Sequence, residues 1–342
     1  MKTTVLVTGG AGFVAGWCIV ELLNRGYAVR ATLRSPAKQA EVRSAVAAAA
    51  PTELLTFVAA DLTQDADWDV AAAGCEYVLH VASPLGSDGS SQADAMIAAA
   101  RDGTLRVLKA AVNAGAKRVV MTSAATVATP PLLSGFRSLS DETTWFDPSE
   151  PDVDAYRQSK RLAERAAWEF MGKSGGSTTL TTILPGAVFG PILIPGRDGS
   201  AQIIGRLLQG RVPANPRLGF EIVDVRDLAM AHVLAMTAPQ AAGERFLAVG
   251  DFMWMLHISK TLRAQLGASA GKVPTRTLPD FLFRFMALID PALRSMTPRL
   301  GREHRHTSAK AERLLGWRTR PVAVTLVDCA RSLSAENRGL AG

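Results

Sequence analysis

The feature that most restricts the fold of this chain is the glycine-rich segment VTGGAGFVAG at residues 7–16. It follows a short apolar run typical of a buried strand and precedes a stretch in which Trp17, Val20 and Leu23 recur at helical spacing. Glycine permits a tight turn and lets a phosphate approach the backbone, and the free N–H groups at a helix N-terminus attract anions. Because residues 10–15 fit G-x-G-x-x-[GA] between a strand and a helix, we predict a dinucleotide-binding loop rather than a purely structural turn.

Predicted strands and helices alternate through the first half of the chain. Strand-like apolar runs follow at residues 28–34, 54–62, 76–83, 118–123 and 178–191, and helix-like stretches include residues 37–50 and 103–114. Strands that alternate with helices form βαβ units, in which the strands are parallel and the helices cover both faces of the sheet. We therefore predict an α/β fold with a Rossmann-type doubly wound parallel sheet.

The regular alternation ends after residue 185, where loops rich in proline and glycine begin. Residues 220–236 are typical of a strand that leads into a helix, and residues 245–250 are typical of another strand. We predict a dinucleotide-binding domain at residues 1–184, which also takes in about 219–250. A smaller, interleaved substrate-binding lobe is predicted at residues 185–218 and 251–342. Since neither a linker nor an internal repeat separates the two parts, we expect them to fold together.

Composition narrows the function classes. The 342 residues are 48% hydrophobic and 20% charged, as in ordinary globular proteins, and include three cysteines. An odd, scattered set of cysteines indicates neither a disulfide framework nor a CxxC metal pair, so we expect a cytoplasmic protein. No apolar run reaches membrane-spanning length, and no membrane partner is expected.

The net charge of +7 is interpreted as a solvated basic surface that also suits an anionic cofactor. The densest basic run, residues 299–320, lacks the interleaved aromatic side chains on which bases stack, so no nucleic-acid partner is expected. His304 and His306 have no cysteine or carboxylate cluster at zinc spacing, and no metal site is expected. His80 is predicted to pack in the core. Asp224 and Asp227 could form a two-carboxylate catalytic site, but their place at a strand-to-helix junction favours helix capping.

The segment after the second strand, TLRSP, indicates which dinucleotide is bound. An NAD-selective fold carries an acidic residue here, which binds the ribose hydroxyls. Arg34 occupies the segment instead, with Lys38 beyond it, and a guanidinium pairs well with a dianionic 2′-phosphate. NADP (NADPH) is therefore the predicted cofactor, against the alternative that Arg34 is only a surface residue. Asp61 ends the third strand, where it either accepts from the adenine or caps a turn.

Tyr156 and Lys160 are the predicted catalytic pair. They are four residues apart in the helix-like stretch DAYRQSKRLAERAAWEF, so their side chains share one face. A nearby ammonium stabilises a phenolate and lowers the pKa of a tyrosine, which suits Tyr156 to act as general acid toward a carbonyl oxygen. A YxxxK spacing also occurs on solvated helix faces. Its place after the fifth strand of a dinucleotide fold favours the catalytic interpretation.

The stretches VTGGAGFVAG, VRATLRSP, VLHVASP, KRVVMTS, YRQSKRLAE, LPGAVFGP and VDVRDLAMAHVLAM occur in this order along the chain. Together they resemble the extended short-chain dehydrogenases/reductases, within them the branch of dihydroflavonol reductase, cinnamoyl-CoA reductase and the microbial aldehyde and ketone reductases. The sequence departs from that pattern at Ala15, where the family usually has a third glycine. An alanine still allows close helix–strand packing, so binding is expected to survive.

The resemblance implies a set of cofactor contacts at the phosphate loop, the 2′-phosphate, the adenine and the nicotinamide. In chain order these are Thr8, Gly9, Gly12, Phe13, Val14, Arg34, Lys38, Asp61, Leu62, Val81, Ala82, Ser83, Tyr156, Lys160, Pro185, Gly186 and Val188. The substrate pocket is predicted at Ser83, Pro84, Ala124, Ala125, Thr126, Tyr156, Gly186, Ile192 and Gln202.

The predicted function is an NADPH-dependent carbonyl reductase that acts on small-molecule aldehydes or ketones, with aromatic or apolar substrates favoured by the apolar pocket segments. A nucleotide-sugar epimerase or dehydratase with retained NAD uses the same tyrosine and lysine and is the first alternative. A non-catalytic NADP-sensing regulator is the second, and the presence of both catalytic residues disfavours it. A monomer or a homodimer is expected.

The identity of the third catalytic hydroxyl depends on register in VVMTSAATVATP, residues 119–130. The family usually has TSS here, and matching from the strand puts Ala124 at the catalytic serine. Matching from the loop side puts Ser123 there instead, and a slip of one residue reverses the face to which a strand side chain points. We favour Ser123, which completes a Ser–Tyr–Lys site, with Thr122 and Thr126 as substitutes. A serine that merely ends the strand is the remaining alternative.

Overall fold

A parallel sheet of seven strands lies at the centre of this computed structural model, which describes residues 2–83, 90–129, 137–146, 154–196 and 199–339. The strands of the described residues are β1 (Thr4–Val7), β2 (Ala28–Leu33), β3 (Leu55–Ala59), β4 (Tyr77–His80), β5 (Arg118–Thr122), β6 (Arg137–Ser140), β7 (Thr179–Pro185), β8 (Ala187–Phe189), β9 (Gly219–Asp224), β10 (Arg245–Ala248), β11 (Phe252–Trp254) and β12 (Glu303–His306).

The order of strands across the central sheet is β3-β2-β1-β4-β5-β7-β10, and every pair is parallel. The chain therefore winds outward from β1 in one direction and then from β4 in the other. The point at which the winding reverses, between β1 and β4, opens a crevice at the carboxyl ends of the strands, where such sheets bind ligands. The predicted Rossmann-type doubly wound fold is confirmed.

Helices cover both faces of this sheet. The described helices are α1 (Phe13–Asn24), α2 (Gln39–Ala47), α3 (Trp68–Ala72), α4 (Ser90–Asn113), α5 (Ala155–Ser174), α6 (Gln202–Leu208), α7 (Val225–Thr237), α8 (Met255–Leu266), α9 (Asp280–Ile289), α10 (Pro291–Met296), α11 (Ala309–Leu315) and α12 (Val322–Gly339). On one face α1, α2, α7 and α11 share a buried apolar cluster with the strands, and α3, α4 and α5 do so on the other. No helix among these residues is long and apolar enough to cross a membrane.

A smaller lobe is built on two short sheets, β11-β9-β8 and β12-β6. Its own apolar core includes side chains of α6, α8, α9 and α12. Residues 219–250, predicted to belong to the dinucleotide-binding part, are divided between the two parts. Strand β10 joins the central sheet, whereas β9 pairs with β8 and β11 in the lobe.

The predicted sixth strand, residues 178–191, is two strands that belong to different sheets, with Gly186 between them. The N–H of Gly186 donates to the carbonyl of Ala248 at 3.2 Å, at the end of the central sheet. A Cβ on Gly186 would lie 2.4 Å from the carbonyl oxygen of Glu221, so the chain crosses β9 where only glycine fits. The strand therefore leaves the central sheet here and enters the lobe.

Candidate active site

The glycine loop is fastened to the end of β2 by backbone hydrogen bonds. Gly9 has a φ of +71°, its N–H donates to Thr32 Oγ1 at 2.9 Å, and the N–H of Gly10 donates to the Thr32 carbonyl at 2.8 Å. A Cβ on Gly10 would lie 2.8 Å from the Cβ of Ala31. Gly12 caps α1 without a side chain, so the first N–H groups of the helix face the loop. The N–H groups in the first turn of α1, and not those of Gly9 and Gly10, therefore fit a pyrophosphate.

The hydroxyl of Thr8 joins this loop to the segment after β4. It accepts from the N–H of Val81 at 3.1 Å and of Ala82 at 3.0 Å, and it bonds His80 Nδ1 at 3.0 Å. A Cβ on Gly9 would lie 3.0 Å from that of Ala82. The residues predicted for the pyrophosphate and for the nicotinamide ribose are therefore neighbours, and Ser83 is the last described residue of this segment.

His80 is a packed core histidine, as predicted. Its Nε2 bonds the Thr104 hydroxyl at 3.2 Å, and its side chain is buried. Burial, with a smaller effect of the Lys160 charge, lowers the pKa of His80 to about 3. The imidazole is therefore neutral at ordinary pH.

Arg34 and Asp61 lie close together just after β2 and β3. The N–H and hydroxyl of Thr63 donate to Asp61 Oδ1 at 2.8 and 2.9 Å. The backbone bond from Thr63 lowers the pKa of Asp61 most, and the hydroxyl bond and the Arg34 charge lower it further, against partial burial. Arg34 is exposed, Lys38 half-buried, and Leu62 packs on helix α4 at Gly103. Asp61 thus caps its turn, and Arg34 presents a cation at the crevice edge.

Tyr156 is the second residue of α5. Asp154 caps the helix, accepting from the N–H of Arg157 at 2.8 Å. The phenol of Tyr156 is partly covered, at 40% exposure, and its pKa is raised by burial and by the Asp154 charge, with Arg299 opposing them. In this structure the shift is opposite to the lowering that the sequence analysis expected from Lys160.

Lys160 lies one turn further along α5 and is almost fully buried. Its Nζ donates to the carbonyl oxygen of Thr122 at 3.4 Å, at the end of β5. Burial lowers the pKa of Lys160 to about 8, while the carboxylate of Glu164 raises it. The ammonium is thus held at the carboxyl edge of the sheet with a pKa close to neutrality.

The hydroxyls at the end of β5 have partners that the sequence did not reveal. Ser123 donates to Glu164 Oε2 at 2.5 Å, and Thr122 Oγ1 bonds His232 Nε2 at 2.7 Å. Ser123 was predicted to face Tyr156, but the structure directs its hydroxyl to Glu164. Ala124 and Ala125, predicted to line the substrate pocket, are both buried, and Ala125 packs in an apolar cluster.

Glu164 is a fully buried carboxylate that the sequence analysis missed. Besides Ser123, it accepts from the Thr182 hydroxyl at 2.9 Å, from Arg245 Nε at 2.8 Å and from Trp168 Nε1 at 3.3 Å. It follows Lys160 by four residues, so helical spacing puts it on the same face as the predicted catalytic pair. That spacing was the available signal, whereas Ser123, Thr182 and Arg245 are all distant from Glu164 in sequence or on other elements.

The predicted substrate-side residues are spread over several elements. Val188 pairs with Val223 of β9, the N–H of Ile192 donates to Ser332 Oγ at 3.0 Å, and Gln202 is exposed at the start of α6. Pro185 ends β7 beside Gly186. Pro84 lies outside the described residues.

Two further features of the smaller lobe were not predicted. Glu221 on β9 bonds Nδ1 of His306 at 2.5 Å, and Nε2 of that imidazole bonds the Thr129 hydroxyl at 3.1 Å. A cavity of about 430 Å³ opens in the lobe, with Arg217 and Trp254 among its lining residues. Both features involve β9, β11 or β12, whose pairing depends on contacts distant in sequence.

A model of the NAD dependent epimerase/dehydratase family matches residues 5–250. Cinnamoyl-CoA reductase 1 of Oryza sativa subsp. japonica is 36% identical over 267 residues, covering 77% of this chain and 75% of that protein. Ketoreductase azaE of Aspergillus niger is 33% identical over 300 residues, covering 81% of this chain and 87% of that protein. Apart from Thr4, the matched family span contains the seven strands of the central sheet, and it also contains the glycine loop, Tyr156 and Lys160.

Among solved structures, yeast methylglyoxal/isovaleraldehyde reductase Gre2 complexed with NADPH superposes with a TM-score of 0.81. The match covers 98% of this chain and 100% of that chain at 23% sequence identity. At this identity the similarity concerns the fold, and it extends over both the central sheet and the smaller lobe.

Proposed function

Because the chain belongs to the NAD dependent epimerase/dehydratase family, we propose that it is an NADPH-dependent carbonyl reductase that converts an aldehyde or ketone to an alcohol. The observation that carries this proposal is the arrangement of Tyr156 and Lys160 on one face of α5. Lys160 reaches the end of β5, next to the crevice of a doubly wound sheet. The names of the relatives, a ketoreductase and a cinnamoyl-CoA reductase, support the same chemistry.

The residues of the crevice fit NADPH. A Cβ on Gly9, Gly10 or Gly12 would press against neighbouring protein atoms, so these glycines let the loop pack closely, and the N–H groups in the first turn of α1 face a pyrophosphate. Arg34, with Lys38 beyond it, supplies positive charge for the 2′-phosphate that distinguishes NADPH from NADH. NADPH, when bound, supplies the hydride for the reduction.

The side chains of the protein bind the reactants and supply the proton that the carbonyl oxygen takes up. The phenol of Tyr156 gives its proton to the substrate's carbonyl oxygen as negative charge develops there. The charge of Lys160 favours the resulting phenolate, and its ammonium is also a donor to ribose hydroxyls. Both groups must be protonated at the start of the reduction, and the pKa values, raised for Tyr156 and about 8 for Lys160, satisfy this at neutral pH.

We propose aromatic or otherwise apolar carbonyl compounds as the substrate class, in a cytoplasmic setting. The apolar side chains around Ile192 support this class. The second candidate, a nucleotide-sugar epimerase or dehydratase, is favoured only by the name of the family. An enzyme of that kind keeps its NAD through turnover, whereas a reductase exchanges NADPH each cycle.

The test follows NADPH absorbance with a panel of aldehydes, ketones and sugar nucleotides, together with an assay for dinucleotide that remains bound after purification. We expect oxidation of NADPH by apolar aldehydes or ketones and no retained NAD. Tyr156→Phe should lower kcat by about 10²–10⁴-fold and have a much smaller effect on NADPH binding. Tyr27→Phe, at a partly buried tyrosine after α1, is the matched control. The proposal fails if no carbonyl compound oxidises NADPH, or if Tyr156→Phe is as active as the control.

A further inference from the structure

Four hydroxyls lie at the end of β5 and in the loop that follows it, on Thr122, Ser123, Thr126 and Thr129. Three of them already have partners for their protons. Ser123 donates to the buried carboxylate of Glu164, as described above. The hydroxyl of Thr129 donates its proton to the carbonyl oxygen of Ala125 at 3.2 Å, and it also lies 3.1 Å from Nε2 of His306.

The proton of Thr122 is assigned by the histidine that it meets. His232 Nδ1 lies 2.8 Å from the carbonyl oxygen of Leu228, which only accepts, so Nδ1 carries the proton. Burial lowers the pKa of His232 to about 4, so the imidazole is neutral and its Nε2 is an acceptor. Thr122 therefore donates to Nε2 and has no proton left for a ligand.

Thr126 is the exception. Its Oγ1 is shielded from solvent and has no hydrogen-bond partner among the described residues. It sits in a short 3₁₀ turn, Ala125–Ala128, whose other members are buried in an apolar cluster with Leu184 and Leu247. Buried hydroxyls in proteins almost always have a partner, and an orphan one calls for an explanation. A ligand atom that accepts a hydrogen bond explains it.

The turn is fixed to the helix that carries the catalytic tyrosine. Nε of Arg157 donates to the carbonyl oxygen of Thr126 at 3.0 Å, and Nη2 donates to that of Thr129 at 3.0 Å. Arg157 immediately follows Tyr156 in the first turn of α5. The turn also begins three residues after β5 ends, at the carboxyl edge of the sheet where substrate is expected.

We infer that Thr126 is a catalytic residue of the reductase proposed above: its hydroxyl donates a hydrogen bond to the substrate's carbonyl oxygen. As the carbonyl is reduced at the expense of NADPH, hydride adds to carbon, the C=O π pair moves to oxygen, and that oxygen takes the proton of Tyr156. Thr126 keeps its own proton throughout. Its bond strengthens as charge develops on oxygen, in a place closed to bulk water, which is how an oxyanion donor lowers a barrier.

Thr126→Val removes the hydroxyl and nearly keeps the shape of the side chain. We expect kcat to fall by about 10²–10³-fold, as for loss of one oxyanion donor, with little change in the KM of the carbonyl substrate. Thr126→Ser should retain most of kcat, because it restores the donor. NADPH affinity, measured by quenching of tryptophan fluorescence, should match wild type in both variants. Thr56→Val, on β3 at the far edge of the sheet, is the matched control and should keep wild-type kcat.

Equal rates for wild type and Thr126→Val, or equal losses for Thr126→Val and Thr126→Ser, would overturn the inference. Loss of rate on Ser123→Ala with full rate in Thr126→Val would return the role to Ser123. If Thr126→Val neither melts cooperatively nor binds NADPH, Thr126→Ser and Thr126→Ala are compared, and the inference requires the serine variant to be much faster. An active wild type with an inactive Tyr156→Phe upholds the proposed function whatever Thr126 does, whereas an inactive wild type rejects both.

Discussion

Ser123 and Glu164 form a hydrogen bond of 2.5 Å inside the protein, with the serine at 1% exposure and the glutamate at 0%. The bond connects the end of the fifth strand to the helix that carries Tyr156 and Lys160. Glu164 also holds Arg245, whose guanidinium lies 3.8 Å above the ring of Trp145. A hydroxyl that sequence alone assigns to catalysis is here part of a buried polar network.

We expect Ser123→Ala to affect stability more than rate. Removing the donor leaves a buried carboxylate short of one hydrogen bond, which costs about 1–3 kcal/mol of unfolding free energy. Urea denaturation measures this loss, with Ser44→Ala on the exposed face of α2 as control. A large fall in kcat with unchanged stability would contradict the structural role of Ser123.

Arg34→Ala should weaken NADPH binding selectively. A charge-assisted bond to phosphate is worth about 1.5–3 kcal/mol, so we expect the Kd of NADPH to rise about 10- to 100-fold. The Kd of NADH should change little, because NADH has no 2′-phosphate. Titration by fluorescence measures both constants, and Arg25→Ala, on the exposed end of α1, is the control. Equal weakening of both cofactors would reject Arg34 as the 2′-phosphate ligand.

The rate of reduction should fall as pH rises through about 8. Burial lowers the pKa of Lys160 to about 8, so its ammonium loses its proton there, while the raised pKa of Tyr156 keeps the phenol protonated. A pH profile of kcat/KM measures the fall. Lys160→Arg should move the fall to higher pH, because a guanidinium does not titrate in this range. A fall at the same pH in this variant would assign it to another group.

The same buried lysine affects stability in a definite direction. Its folded pKa lies below the ordinary value of 10.5, so between about 8 and 10.5 the unfolded chain binds more protons. The contribution of Lys160 to the free energy of unfolding therefore rises with pH in this window. Going the other way, it is lost as the pH falls to about 8, because the buried amine must then take up charge.

Two buried histidines should make the fold sensitive to acid. Burial lowers the pKa of His80 to about 3 and that of His232 to about 4, against 6.5 for an ordinary histidine. The contribution of the two neutral imidazoles to the free energy of unfolding is fully present above pH 6.5. It is lost as the pH falls toward 4, because the histidines of the unfolded chain take up protons at a higher pH than those of the folded chain. Unfolding free energy measured from pH 7 to 4 should fall less steeply in His232→Gln than in wild type. His257→Gln, at an exposed histidine of α8, should match the wild-type slope.

The fold was predictable because its signals are local. Strand periodicity, helix periodicity and the glycine loop each lie within a few residues, and they specified the doubly wound sheet and the positions of Tyr156 and Lys160. The change of sheet at Gly186 depends on contact with Glu221, a residue of another strand, so the pattern of residues 178–191 showed one strand instead of two.

The direction of the Ser123 hydroxyl could not be predicted from the sequence. It depends on register at the end of β5, where a slip of one residue changes the face, and on an acceptor 41 residues away. The expected lowering of the pKa of Tyr156 also depended on surroundings that helical spacing does not contain, since Asp154 and burial raise it. Spacing predicted that Tyr156 and Lys160 share one face of a helix, but not the electrostatic environment of the two groups.

The late position of β10 in the chain affects how the protein is made. During synthesis, Glu164 leaves the ribosome long before Arg245, its cationic partner, and β7 has no neighbour on its outer edge until residues 245–248 arrive. The helix that packs on α1, residues 225–237, is also late. We expect the nascent chain to stay incompletely folded, and to need protection from aggregation, until about 250 residues have emerged, although its nucleotide-binding loop is among the first segments translated.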